Sequence, residues 1–259
     1  MGQDDLKFPK VIGDAPHQPE LIIRDHSMKN YHINSHKMRW LKDVIDVIDA
    51  HRLIDDFDGF DLVADEADWV ETVVGAGTAA LTDMVNGVLI LTTGQSENDA
   101  EELARPAEAF KCVECYPFYA EIRFKISEAI QSDFWFGLVT GESWFATPDD
   151  AILFESVDGD ASIWFVTRTG AAQTRADTTG DLADDTWIRL GFHWDGDETI
   201  RWFVIQDGNA PQTILAAGSH TTHVPTTELQ LGFGIRSGAA GAQILYIDYV
   251  KCVQLRVIE

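Results

Sequence analysis

Apolar and polar positions alternate with a period of two over most of the chain after about residue 60. In the stretch 119–126, Ala120, Ile122, Phe124 and Ile126 alternate with more polar neighbours. Because successive side chains of a strand point to opposite faces, this period predicts β-strands with one face in a core. The same alternation recurs in residues 133–138, 163–166, 187–194, 200–204, 229–236 and 245–249.

Turn signals separate these runs. Asn-Gly and Asp-Gly dipeptides favour the tight turns of β-hairpins, because both residue types tolerate left-handed backbone conformations. Many short strands at this spacing are typical of an antiparallel sandwich or barrel. No linker interrupts them, so we predict a single β domain over residues 59–259. The turn signals are residues 86–87 (NG), 158–160 (DGD), 195–197 (DGD), 207–209 (DGN) and 237–238 (SG).

The first 58 residues follow a different pattern and are predicted to form an N-terminal extension. Residues 1–34 show no sustained period and contain three prolines, which predicts an extended arm. Over residues 36–54 the apolar positions recur every three or four residues, and Ser35 can cap the start. This spacing predicts one amphipathic α-helix over residues 36–54.

The extension cannot bury its apolar side chains alone. The helix therefore packs on its own domain or docks on a partner, and the sequence leaves both interpretations open. Under the second interpretation, the candidate partner-binding residues are Leu21, Ile22, Ile23, Met38, Trp40, Leu41, Val44, Ile45 and Ile48.

Charge narrows the possible partners. The net charge is −24, from 43 acidic and 19 basic residues, and all of it lies after residue 54. Such a surface repels nucleic acid and anionic membranes. No apolar run is long enough to span a bilayer, and the first residues (MGQDD) do not resemble a signal peptide. We expect a protein of a cytoplasm-like compartment, with no nucleic acid or membrane partner.

The C-terminal half resembles a known fold family. The residues that carry the resemblance are 185–192 (DTWIRLGF), the DGD turn that follows, 200–208 (IRWFVIQDG) and 245–250 (LYIDYV). In this order they look like the laminin-G-like, concanavalin A-type jelly roll, over about residues 60–259. The resemblance implies a mainly β, concanavalin A-like sandwich. It says little about function, since lectins, glycanases, adhesion modules and virus particles all use this fold.

The preceding residues suggest a more specific resemblance. An arm and helix followed by residues 54–60 (IDDFDGF) resemble structural proteins of tailed bacteriophage particles. That resemblance implies a non-enzymatic head decoration, or cement, protein that binds the major capsid protein and itself, with a trimer favoured. It also implies synthesis in the host cytoplasm, a final place on the capsid surface and no cofactor.

Two alternatives remain open. One is a carbohydrate-binding module. Trp135 and Trp164 fall on the strand face opposite to the Phe and Ile residues, and Trp144 lies in a loop as a possible exposed contact. The other is a glycoside hydrolase that uses Glu66 and Glu71, since residues 66–71 fit the E-x-D-x-x-E pattern of related glucanases.

Three further motifs favour structural interpretations. Residues 75–80 (GAGTAA) imitate a dinucleotide fingerprint, but a hairpin signal follows too soon for a helix, so we expect a turn. The Asp-Gly-Asp turns supply too few oxygens for Ca²⁺ unless distant loops converge. Cys112 and Cys115 have C-x-x-C spacing without the second pair of a zinc site, so we expect ordinary thiols. No metal or cofactor is predicted.

Overall fold

The computed structural model describes residues 21–24, 30–33, 50–60, 68–82, 84, 87–207 and 213–255, which form seventeen strands and no helix. No described helix could therefore span a membrane. The chain divides into two compact units, residues 1–43 and 44–259. In the first unit, β1 (Leu21–Arg24) and β2 (Asn30–Ile33) pair antiparallel.

The second unit contains two antiparallel sheets. The seven-stranded sheet has the order β12-β11-β10-β9-β16-β7-β4, and the eight-stranded sheet has the order β15-β14-β13-β8-β17-β6-β5, with β3 also paired to β17. The strands are β3 (Ala50–Asp55), β4 (Val70–Val74), β5 (Thr78–Thr82), β6 (Val88–Thr92), β7 (Ala100–Ala104), β8 (Phe118–Ile126), β9 (Ser132–Val139), β10 (Ala151–Val157), β11 (Asp160–Thr169), β12 (Ala172–Asp181), β13 (Ile188–Trp194), β14 (Ile200–Gln206), β15 (Thr213–His220), β16 (Gln230–Ser237) and β17 (Ile244–Leu255).

The core lies between the two sheets and is rich in aromatic rings. Phe124 of β8 and Phe134 of β9 stack with ring centroids 4.2 Å apart, which joins the middle of one sheet to the middle of the other. Each period-two run of the sequence contributes its apolar set to this layer. The predicted antiparallel sandwich is confirmed, and its hydrophobic burial supplies the main stabilisation of the unit.

The prediction of a helix over residues 36–54 is wrong for the part that the structure describes. Residues 50–54 belong to strand β3, which pairs with residues 250–255 of β17. The twelve-residue β17 extends beyond its pairing with β6, so its backbone needs a second partner on that side. Residues 36–49, and with them Met38, Trp40, Leu41, Val44, Ile45 and Ile48, lie outside the described residues.

The two lateral edges of the sandwich differ. At one edge β12 and β15 contact each other across the layers. At the other edge lie β4 and β5, which are consecutive in sequence but belong to different sheets. The connection between them contains Gly75, whose φ of 80° requires a residue without a Cβ. The fingerprint-like residues 75–80 are thus a turn and a strand, as expected.

Candidate functional site

A line of aromatic and acidic residues crosses the outer face of the seven-stranded sheet. Glu155 of β10 lies opposite Trp164 of β11 on one side and Trp135 of β9 on the other. Gly234 of β16 and Glu102 of β7 continue the same line. The prediction that Trp135 and Trp164 face away from the Phe and Ile set is confirmed, because Phe134 and Phe165 belong to the core.

The indole ring of Trp135 lies flat against the backbone of this face. A Cβ on Gly232 would lie 2.5 Å from the indole ring, and one on Gly234 would lie 2.7 Å from its Nε1, so the two glycines leave room for the ring to lie flat across β16. The indole N–H donates to Glu102 Oε1 at 2.8 Å. Trp135 is fully buried, although it lies on the outer side of the sheet.

Residues 140–150, which we call the covering loop, account for that burial. Trp144 and Phe145 pack against the cluster that contains Trp135. Glu102 holds the loop in place, since it accepts hydrogen bonds from the Ser143 hydroxyl at 2.5 Å and the Phe145 backbone N–H at 3.4 Å. The two acids of the line therefore bind indoles and the covering loop rather than each other.

The more accessible end of the line is centred on Glu155, and we call it the Glu155 cluster. The Trp144 indole donates to Glu155 Oε2 at 2.9 Å, and Arg175 Nε lies 2.7 Å from Oε1. The Arg175 guanidinium stacks 4.1 Å from the ring centroid of Trp164. Arg168 lies over the Trp144 ring at 5.8 Å. Trp144 and Trp164 are both half-buried, so each side chain keeps some accessible surface.

Several hydrogen-bond donors on this face have no partner within the described part of the chain. They are Trp164 Nε1, Arg168 Nε and Gln230 Nε2, each with almost no exposed surface. A buried donor without an acceptor costs free energy, and most proteins satisfy such groups with protein atoms, ordered water or a ligand. This face therefore has three buried N–H donors for which the described residues provide no hydrogen-bond acceptor.

The carboxyl groups of this face ionise less readily than usual. Burial raises the pKa of Glu102, and the hydrogen bond from Ser143 only partly opposes it. Burial also raises the pKa of Glu155, where the charge of Arg175 acts in the opposite direction. Both carboxyl groups accept hydrogen bonds from N–H or O–H groups. Because few water molecules reach them, each of these hydrogen bonds is stronger than it would be in water.

The outer face of the eight-stranded sheet is built differently, around ion pairs. Arg123 contacts Asp207 at 2.6 Å and Asp248 at 2.8 Å, and it stacks 4.4 Å from the Trp187 ring centroid. Glu121 lies 2.7 Å from Lys251 Nζ. Burial alone would raise the pKa of Glu121, but the neighbouring cations outweigh it and lower the value.

The E-x-D-x-x-E residues do not join the Trp and acid line. Glu66 lies outside the described residues. Glu71 is exposed on β4, opposite Leu103 of the core, and so lies on the other side of the sheet from Glu102. Its neighbour is Glu101, a fully buried carboxyl whose pKa is raised to about 9 by burial first and then by Glu71.

Among the described residues, no group of three or more His, Cys, Asp or Glu side chains could hold a metal ion. Asp195 of one Asp-Gly-Asp turn accepts hydrogen bonds from the backbone N–H groups of Asp197 and Thr199. The thiols of Cys112 and Cys115 are free, the first buried and the second exposed.

Sequence reasoning found part of this site. Trp144 is half-buried and bonded to Glu155, so it is less exposed than predicted, while Leu21, Ile22 and Ile23 lie in β1 of the first unit. Glu102 and Glu155 were missed. Their only signal is that each is an acid at an outward position of a strand.

Comparison with known proteins identifies the fold. No protein-family model matches the chain, and no curated protein does. Among solved structures, a protein of unknown function from Shewanella oneidensis MR-1 matches with TM-score 0.59 at 14% identity, over 81% of this chain and 90% of that one.

Two further structures are proteins of known type. The endo-1,3-beta-glucanase from Streptomyces sioyaensis matches with TM-score 0.54 at 12% identity, over 82% of this chain and 98% of that one. Peanut lectin matches with TM-score 0.53 at 11% identity, over 81% and 99%. The sandwich is therefore a concanavalin A-like jelly roll, a fold shared by lectins and glucanases.

Proposed function

We propose that the sandwich is a carbohydrate-binding module whose site is the Glu155 cluster. The observation that carries the proposal is the placement of two half-buried indoles beside the buried carboxylate of Glu155: Trp144 donates a hydrogen bond to it, and Trp164 lies opposite it on β11. The likeness of the fold to peanut lectin and to a glucanase supports it.

The chemistry of the cluster suits a sugar. The π-face of an indole packs against the C–H face of a pyranose, and Arg and carboxylate groups form hydrogen bonds with its hydroxyls. A sugar hydroxyl is both donor and acceptor, so once it displaces the groups that cover them it can accept from Trp164 Nε1 or Arg168 Nε, which have no acceptor among the described residues. It can also donate to Glu155, whose second oxygen faces Arg175.

The glycan is expected to be neutral. The chain carries a net charge of −24, which repels an anionic polysaccharide at long range. The charge of Arg175 does not offset this, since Arg175 is already paired with Glu155.

We propose binding without hydrolysis, because the carboxyl groups of this face are not spaced like those of a glycosidase. Glu102 and Glu155 lie on strands three positions apart, about 14 Å at the usual strand spacing. Retaining glycosidases separate their two carboxyls by about 5–5.5 Å and inverting ones by about 6.5–9.5 Å. Glu71 and Glu101 are close to each other but lie on the core side of the sheet, away from the indoles.

A glycan array with the full chain, followed by calorimetry on the best neutral oligosaccharide, tests this proposal. Trp164→Ala should weaken binding at least roughly tenfold through the loss of its packing surface. The matched control is Trp187→Ala on the opposite outer face, since Trp187 is also half-buried and stacked with an arginine. Absence of any glycan ligand, or equal losses in both variants, contradicts the proposal.

A second candidate is capsid decoration, in which the protein binds a major capsid protein. It is favoured by the division of the chain at residue 43 into a small first unit and an acidic sandwich. The first 54 residues are near neutral, so they can approach another protein more closely than the rest of the chain. Many copies on one shell would add avidity to a modest contact.

Shells that lack the protein test this candidate. The full chain should bind with fixed stoichiometry, and removal of residues 1–43 should abolish attachment while the circular dichroism of the sandwich persists. The truncation stops at residue 43 because β3, which starts at Ala50, pairs with β17 of the sandwich. Unchanged occupancy by the truncated protein would argue against attachment through the first unit.

A further inference from the structure

Strand β5 forms an edge of the eight-stranded sheet that lacks the usual protection among the residues that the structure describes. Its outer side has no partner strand among the described residues. Its register with β6 is regular over all five residues, with no bulge. Exposed edges of natural sheets are normally protected by a charge, a proline, a bulge or a covering element, because free backbone groups recruit other strands.

The sequence around this edge is free of charge. Residues 72–82 (TVVGAGTAALT) contain no charged side chain, although 24% of the chain is charged. Apolar side chains are exposed there: Val74 at 51%, Leu81 at 39% and Met84 at 46%. The edge is therefore a place where two copies of a strongly acidic protein can approach without strong mutual repulsion.

The opposite edges show the contrast. There β12 and β15 contact each other, β12 carries Arg175 and Asp177, and its register with β11 shifts between Ser162 and Trp164. The β15 strand also has a register shift against β14. These are the devices that prevent strand addition, so the lack of them at β5 is a local feature of that edge.

We infer that β5 is the interface of a symmetric homodimer, in which two copies pair antiparallel about a two-fold axis at Ala80. The strand reads Thr-Ala-Ala-Leu-Thr, which is nearly the same in both directions. In this register Thr78 lies opposite Thr82 of the second copy, and Ala79 lies opposite Leu81. Polar side chains thus meet polar ones and apolar side chains meet apolar ones, as an isologous interface requires.

Pairing in this way joins two eight-stranded sheets into one continuous sheet and satisfies the free backbone groups of both edges. A second copy is the occupant we favour because only an identical strand has this symmetry on both sides. The interface leaves the outer face of the seven-stranded sheet free, so it is independent of the proposed glycan site.

The first test is the mass of the full chain in solution, by sedimentation over a range of concentrations and salt. A dimer is expected, and added salt should strengthen it, because salt screens the repulsion between two bodies of charge −24. A monomer at the highest attainable concentration, or a trimer, overturns the inference.

The second test locates the interface. Ala80→Lys places two like charges opposite each other at the axis and should raise the dissociation constant of the dimer by roughly tenfold or more. Ala172→Lys on edge strand β12 is the matched control, because Ala172 is also exposed. A dimer that both variants leave unchanged uses another surface and overturns the inference.

The third test fixes the register. In a Cys115→Ser background, Ala80→Cys should form an intermolecular disulfide on mild oxidation, since the two Ala80 positions face each other. Ala172→Cys in the same background should remain monomeric on a non-reducing gel. Cross-linking through position 172 rather than position 80 contradicts the proposed axis.

Discussion

Each outer face of the sandwich carries a tryptophan with an arginine stacked on it, and the two pairs differ in what surrounds them. On the eight-stranded sheet, Arg123 lies on Trp187 and is held by Asp207 and Asp248. On the seven-stranded sheet, Arg175 lies on Trp164 and forms an ion pair with Glu155. Arg123 therefore has two carboxylate partners, whereas the one carboxylate that pairs with Arg175 also accepts a hydrogen bond from the Trp144 indole.

The outer face of the eight-stranded sheet is thus stabilised by ion pairs within the protein, whereas that of the seven-stranded sheet has polar groups that could bind a ligand. Ion pairs on the eight-stranded face lower the pKa of Glu121, so ionisation there contributes to stability. On the seven-stranded face burial raises the pKa of Glu102 and Glu155, so ionisation there opposes folding. A protein retains such acids when their hydrogen bonds serve another purpose, and ligand recognition is one.

The largest expected effect concerns the charge pairs of the eight-stranded face. Glu121→Gln should lower the free energy of unfolding by about 3 kcal/mol at pH 7, because Glu121 is a buried carboxylate and the half-buried cations Lys251 and Arg189 lose its charge. Urea unfolding followed by fluorescence measures it. The loss should shrink as the pH falls below the usual glutamate pKa toward the lowered value of Glu121, since the wild-type carboxyl is then protonated too.

Glu155→Gln is the matched variant on the other face. It should cost only about 1 kcal/mol, because Arg175 is exposed and regains water when its partner is neutralised. Equal losses for Glu121→Gln and Glu155→Gln would remove the distinction between the two faces.

A stabilising substitution is the next largest effect. The pKa of Glu101 is raised to about 9, so the folded state binds this proton more tightly than the unfolded chain does. Wild-type stability therefore falls as the pH rises from about 4.5 to about 9. Glu101→Gln should raise the free energy of unfolding by about 1–3 kcal/mol at pH 7, more at pH 9 and hardly at all at pH 4.

The pH profile decides how that result is interpreted. Glu128→Gln is a suitable control, since Glu128 is only half-buried and its carboxyl has no resolved hydrogen bond among the described residues. A gain in Glu101→Gln that is the same at pH 4 and pH 9 would mean that its charge is not responsible.

The strands with a clean period of two were predictable, because hydrophobic alternation is a local property. Strands β8, β9, β13 and β16 all lie where the alternation indicates. Strand β3 was not predictable in this way. Apolar residues spaced by three or four preceded it, and the structure it adopts is set by the unpaired end of β17, some 200 residues later.

The site was predictable only in part, for a related reason. The sequence indicates that Trp135 and Trp164 face away from the core. It does not indicate that Glu155 lies between them, because this depends on the pairing of β10 with both β9 and β11. Glu102 lies in the segment AEELA, whose composition favours a helix, and it becomes a strand because β16 and β4 pair on either side of it.

The smallest expected effect concerns the covering loop. Ser143→Ala removes the hydroxyl that donates to Glu102 and should cost about 1 kcal/mol in unfolding free energy. Since the hydroxyl of Ser143 helps to hold the covering loop on Glu102, the same variant should speed proteolytic cleavage within residues 141–147. Glu142→Gln, an exposed neighbour, is the control and should change neither quantity. If Ser143→Ala leaves cleavage unchanged, the loop is held mainly by Trp144 and its bond to Glu155. Access to the face would then be governed by the same carboxylate that we propose binds the glycan.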